Sequence, residues 1–152
     1  MTTTNSLSEL PHPISLLHRH IPAMTGLSNY QHPFTQVIFV QQGVLAVINQ
    51  YGRYMVPPNQ VIVIPAHSQL ELIAKTDVSL SFFYFATEQT QGFPDETSVR
   101  SVSPLLQALL MESQNLQNDY SWQSHQGRLL RLTRDHLALA PKLDTFLPYP
   151  TD

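Results

Sequence analysis

From Phe34 onward the apolar positions fall in runs of Val, Ile and Phe four to seven residues long, separated by Gly, Pro and Asn. Runs of that length with that punctuation predict the short strands of a sandwich or barrel. They fall at Gln36 to Val40, Val44 to Ile48, Arg53 to Val56, Val61 to Ile64, Leu70 to Ile73 and Val78 to Phe85. Asn49-Gln50-Tyr51-Gly52 reads as a hairpin turn in which Asn and Gly supply positive φ. Pro57-Pro58 cannot donate to a sheet and marks a strand boundary, and Asn59 tolerates the left-handed region, so a turn is expected there. Val61 to Ile64 is apolar at both parities, the pattern of a strand covered on each side.

After a polar stretch containing Gly92 and Pro94 the period changes from two to about 3.6. Ser103-Pro104 is a helix start: Ser accepts from an orphan N–H and Pro occupies the first helical position without losing a bond. Leu105, Leu106, Leu109, Leu110 and Leu116 then share a face, and a second helix is expected from about Trp122 to Ala140, stopped by Pro141. On a helical wheel Trp122, Leu129, Leu130, Leu132, Leu137, Leu139 and Ala140 occupy about half the circumference. A face that wide serves the protein's own sheet, or the sheet and a partner subunit together. The expected order is an extended arm over 1–17, a β-barrel over 18–88, a connector over 89–101, a helical pair over 102–141 and a tail over 142–152: mainly β, with two C-terminal helices.

A chain of 152 residues supports one domain burying roughly 68–70% of its unfolded surface. Charged residues are only 12% of it, against about 25% in an average protein, so polarity comes from Gln, Asn, Ser and Thr. Eight basic and eleven acidic side chains give a net charge of −3, which offers no pull toward a phosphate backbone and argues against nucleic-acid binding by this piece. Without cysteine there are no disulfides or thiolate metal sites. The first residues lack a basic region followed by an apolar run, and no apolar stretch is of membrane-spanning length, so no membrane partner and a cytoplasmic location are expected.

The punctuation Gly43, Gly52, Val56-Pro57-Pro58-Asn59 and Pro65-Ala66, followed by Val102 to Leu109 and by Leu147 to Asp152, resembles the sensor half of AraC-type transcription regulators, which is a cupin. The resemblance covers Tyr30 to Asp152. It implies a cupin jelly-roll barrel that binds a small-molecule effector and forms a homodimer, with Leu129, Leu130, Leu132 and Leu137 as candidate contacts. It also implies a following half with two helix-turn-helix units that would carry DNA binding, with 142–152 as the start of the linker to it, so the chain reads as part of a longer regulator. Cupins that use a metal gather two His and a Glu or Gln from one strand and a His from a later one. In this chain those positions fall on Tyr30, His32, Gln36 and Leu70, and His67 sits where a turn Gly is usual. One imidazole with a phenol, an amide and a Leu does not make a metal site, so no metal and no cofactor are expected.

The expected ligand-binding residues are barrel-facing positions of one parity: Tyr30, His32, Gln36, Ile38, Leu70 and Leu72. An apolar wall with a phenol, an imidazole and an amide suits a small organic ligand, whereas a barrel filled by its own side chains would leave no cavity. Glu71 alternates with Leu70 and Leu72 and should point outward. Carboxylates are spread thinly, with Asp95-Glu96 in the connector and only Glu71 in the barrel strands, and no nucleophile elbow, phosphate-binding Gly loop or zinc-protease helix is present, so no catalytic residue and no enzyme are expected. The alternatives are a metal-dependent cupin enzyme, a dioxygenase or isomerase, and a stand-alone small-molecule-binding cupin. His18-Arg19-His20 reads as part of the solvated arm, and His125 and His136 as packing or capping residues.

Overall fold

The computed structural model describes residues 12–30 and 32–150, apart from the side chains of 27–30. Strands β1 (Ile14–Ile21), β2 (Gly26–Tyr30), β3 (Thr35–Gln42), β4 (Leu45–Asn49), β5 (Gly52–Val56), β6 (Gln60–Ile64), β7 (Leu70–Ala74), β8 (Val78–Phe85) and β9 (Ser98–Ser101) come first. Helices α1 (Pro104–Ser113) and α2 (His125–Leu139) follow, then short strands β10 (Lys142–Leu143) and β11 (Phe146–Pro148). The fold is mainly β, a jelly roll of two antiparallel sheets with the helices after it. One sheet has the order β1-β8-β3-β6-β9-β10 and the other β11-β5-β4-β7-β2.

The larger sheet is covered on both faces, which is why its strands read as continuous apolar runs. Ile38 and Val40 of β3, Ile62 and Ile64 of β6, and Leu80 and Phe82 of β8 enter the barrel core. Their neighbours Val37, Phe39, Val61, Val63, Phe83 and Phe85 pack on the helices, against Leu106, Leu110, Leu130 and Leu137. The smaller sheet buries mainly one face, and β7 alternates between buried and half-buried positions as a one-sided strand should.

Local chemistry sets the boundaries. Ser103 accepts a hydrogen bond from the Leu106 N–H at 3.1 Å with Pro104 in the first turn, and Ser124 accepts from the Gly127 N–H at 3.3 Å. Asn59 and His67 both adopt the left-handed region, at φ 66° and 67°.

Several expectations are corrected. The arm expected over 1–17 already contains the start of β1, whose Ile14 to Ile21 pair with Phe85 to Val78; residues 1–11 lie outside the described residues. His18 and His20 therefore sit on a strand, with Nδ1 atoms 3.0 Å from Ser81 Oγ and 2.7 Å from Ser79 Oγ. The connector expected over 89–101 contains β9, which lies between β6 and β10. The tail expected over 142–152 contributes β10 and β11, one to each sheet.

The second helix begins at His125, three residues later than expected, leaving Trp122 outside it under the Arg131 guanidinium at 4.6 Å. The Asn49–Gly52 turn does not use positive φ. Asn49 Oδ1 instead accepts from the N–H groups of Tyr51 (2.8 Å) and Gly52 (3.0 Å), an Asx turn. Gly52 is required for a different reason: a Cβ there would come within 2.3 Å of the Leu147 carbonyl oxygen, so it admits β11 to the sheet edge.

Candidate functional site at the barrel mouth

The strand register stacks the barrel-facing side chains in rows. Phe82, Ile38, Ile62 and Val99 form one row across β8, β3, β6 and β9, and every one of them is fully buried. Leu72 and Val47 face them from the smaller sheet and are equally buried. This level is a packed core, as small barrels often are.

One row further along, toward the end where β8 finishes, the register brings Tyr84, Gln36 and Ile64 side by side. Polar groups replace the apolar ones, and this end is the mouth. Three rings cluster here, His32 stacked on Phe34 at 5.1 Å and meeting Tyr84 edge-on at 5.4 Å, and Tyr84 stacks in turn on Phe82 of the row below at 5.9 Å. Burial pushes the His32 imidazole below its ordinary pKa and favours its neutral form. The His67 N–H donates to the His32 carbonyl at 2.7 Å, tying the loop before β7 to the segment before β3. Across the mouth the Tyr54 hydroxyl donates to the Thr97 carbonyl at 3.1 Å, which links the smaller sheet to the start of β9.

Beside this cluster lies a cleft of about 720 Å³ at the barrel rim. It is lined by residues 48–51 at the end of β4 and its turn, by residues 68–71 at the start of β7, and by Thr97. Tyr51 is 68% exposed, so its ring stands free at the edge.

The structure separates the six expected ligand-binding residues. Leu70 lines the cleft. Ile38 and Leu72 are packed in the core below it. Gln36 is buried at the mouth level, and His32 is held in the ring cluster. The backbone of Tyr30 pairs with Leu70, while its side chain lies outside the described part of the chain. Sequence reasoning missed Ile48, Asn49, Gln50, Tyr51, Ser68, Gln69 and Thr97 as lining residues. The available signal was a polar turn carrying an aromatic, Asn49-Gln50-Tyr51-Gly52, read only as a connection. Among the described residues no three His, Cys, Asp or Glu stand close enough to hold a metal ion together.

The four candidate dimer contacts also divide. Leu130 and Leu137, 1% and 0% exposed, are committed to the protein's own sheet and cannot meet a partner. Leu132 is 44% exposed and Leu129 half-buried, and Leu139, at 77%, stands beside them on the outer side of α2.

Residues 12–142 match the family model of the AraC-like ligand binding domain. No curated protein matches the sequence. Solved structures of ToxT from Vibrio cholerae are similar in fold: one has a TM-score of 0.61 at 10% identity, covering 83% of this chain and 55% of that one. An apo variant gives 0.66 at 6% identity, covering 85% and 55%. The unsaturated fatty acid bound wild-type protein gives 0.58 at 7%, covering 83% and 50%. The chain thus spans about half the length of these structures, and at such identities the likeness is one of fold.

Proposed function

The chain belongs to the AraC-like ligand binding domain family, and from that premise we propose that it senses a small organic effector for an AraC-type transcription regulator. The effector seats in the rim cleft, and a second copy pairs through the outer side of α2. The observation that carries the reading is the cleft itself, whose 720 Å³ falls within the roughly 300–1,000 Å³ of small-molecule sites. It opens at the polar end of a barrel whose apolar interior is full. ToxT, of similar fold, is described with an unsaturated fatty acid bound, which supports small-molecule sensing by a domain of this shape.

In this reading DNA is contacted by a helix-turn-helix half of the regulator, and the −3 net charge keeps the sensor itself off the phosphate backbone. The protein is no enzyme, works in the cytoplasm and needs no cofactor. No helix among the described residues is long and apolar enough to cross a membrane.

Thermal-shift screening with a metabolite library tests the site, because a ligand that binds only the folded state raises apparent stability. At least one compound should raise the Tm, and Gln69→Trp, which fills the cleft from an exposed position, should abolish that shift. A shift that survives in Gln69→Trp places the effector elsewhere. For dimerisation, Leu139→Glu should lower the mass measured by light scattering, and an unchanged mass removes α2 from the interface.

A further inference from the structure

His18 and His20 alternate on β1, so both imidazoles leave the sheet on the same face, roughly 6–7 Å apart along the strand. The register fixes which face. His18 lies opposite Ser81 and His20 opposite Ser79, and each Nδ1 reaches the hydroxyl of its own partner, at 3.0 and 2.7 Å. Ser81 shares its parity with Phe83, so this is the side on which the helices pack, away from the barrel interior. Arg19 lies opposite Leu80 and projects to the other face, which keeps its charge off the pair. β1 is the outermost strand of its sheet and both histidines are exposed, so an ion from solution meets them directly.

The serine contacts decide which nitrogen is left over. Ser81 Oγ donates its single proton to Gln114 Oε1 at 3.1 Å, so the 3.0 Å contact with His18 is made by the imidazole Nδ1–H, and Nε2 carries the lone pair. The Ser79 hydroxyl is placed to accept from His20 in the same way. An imidazole that donates through one nitrogen and offers the other is the form that ligates a metal, and the donated bond holds the ring and raises its basicity. Neither Nε2 takes part in a hydrogen bond or ion pair among the described residues.

We propose that His18 and His20 form a two-imidazole chelate for a divalent transition-metal ion on the outer strand, with the two Nε2 atoms as ligands and Ser81 and Ser79 as positioning residues. Imidazole selects Cu²⁺, Ni²⁺ or Zn²⁺ over Mg²⁺ and Ca²⁺, which take oxygen ligands, and Cu²⁺ stands first in the order of affinities. No third His, Cys, Asp or Glu joins the pair among the described residues, so the ion keeps positions for water or for a donor from another molecule. The site is separate from the rim cleft and stands whether or not an effector binds there.

Isothermal titration of the full chain with Cu²⁺, Zn²⁺ and Mg²⁺ in a non-coordinating buffer near neutral pH tests this, together with electron paramagnetic resonance of the Cu²⁺ complex. One Cu²⁺ per chain should bind, Zn²⁺ more weakly and Mg²⁺ not at all, and the resonance spectrum should show two imidazole nitrogens on the copper. His18→Gln and His20→Gln should each lower the Cu²⁺ affinity about tenfold or more, since removal of a group that merely orients a ligand already costs that much. Each should also reduce the nitrogen count to one, while His125→Gln, at an exposed histidine of α2, should change neither reading. Thermal unfolding of the metal-free variants should match that of the parent chain, so that the loss reports the ligands. An affinity that survives replacement of both histidines, or that falls with only one of them, overturns the chelate. The spectrum of the unsubstituted chain is decisive without any variant: a single nitrogen, or none, overturns it as well.

Discussion

Phe82 and Tyr84 stand on one strand, two residues apart, facing the same side of the same sheet, yet they belong to different parts of the molecule. Phe82 is in a row with Ile38, Ile62 and Val99, all closed to solvent, and the barrel there is solid. Tyr84 is in a row with Gln36 beside His32 and Phe34, and there the barrel meets water and a cleft. A single 6–7 Å step along a strand thus separates the part that holds the fold together from the part that can recognise something. The proposed reading puts selectivity at the rim, where side chains no longer have to fill space.

The largest expected effect sets the two rows against each other. Phe82→Ala should cost about 3–5 kcal/mol of stability through the cavity it leaves in a close-packed core, and Tyr84→Ala less than half as much, both read by urea unfolding. Equal losses would mean that the mouth is as structural as the interior.

Next in size is a change outside the barrel. Arg100 is buried on the helix side of β9, with Nη1 3.2, 2.8 and 3.2 Å from the carbonyl oxygens of Leu137, Ala138 and Ala140. Its charge thus sits at the negative end of α2. Burial lowers its pKa, yet the guanidinium remains cationic. Arg100→Met should cost about 1.5–3 kcal/mol, the range for hydrogen bonds to a charged group, and leave the cleft affinity unchanged. A large change in affinity would show that the mouth is coupled to the helices.

A smaller effect is one of pH. His32 has a folded-state pKa below its ordinary 6.5 because burial penalises the charged ring. The unfolded chain therefore takes up a proton at a higher pH than the folded protein does. The His32 contribution is undiminished above about 6.5 and is lost as pH falls from there through the lower folded value. The Tm should drop over that interval, and His32→Phe should flatten the profile; an identical profile would remove His32 as its source.

The smallest changes belong to the rim. Tyr51→Leu and Glu71→Gln should each alter stability by no more than about 0.5 kcal/mol in urea, since neither group supports the packing. A larger loss would make the rim part of the fold after all.

Much of the barrel was legible in the chain because its strands are apolar at both parities or alternate cleanly. β9 was not, since Ser98-Val99-Arg100-Ser101 holds a single apolar side chain. Its burial comes from lying between β6 and β10, with the Arg100 charge taken up by helix carbonyls 37 to 40 residues away. The early start of β1 was hidden in the same way. Side chains of the α1–α2 loop satisfy its outer edge: Asn118 pairs with both backbone groups of Leu16 at 2.9 Å, and the Tyr120 hydroxyl does the same for Ile14.

What the sequence by itself determined is local: where strands stop, that Asn59 turns left-handed, that Ser103-Pro104 opens a helix, and that Leu70 and Leu72 point the opposite way from Glu71. Each follows from the dihedral limits of a residue or from the two-residue period of a strand. Whether the barrel would be hollow, which leucines of α2 would face its own sheet, and where a cleft would open were decided only by the tertiary structure. Empty space is what remains after side chains from both sheets and both helices have been fitted together, and no segment of the chain carries that sum.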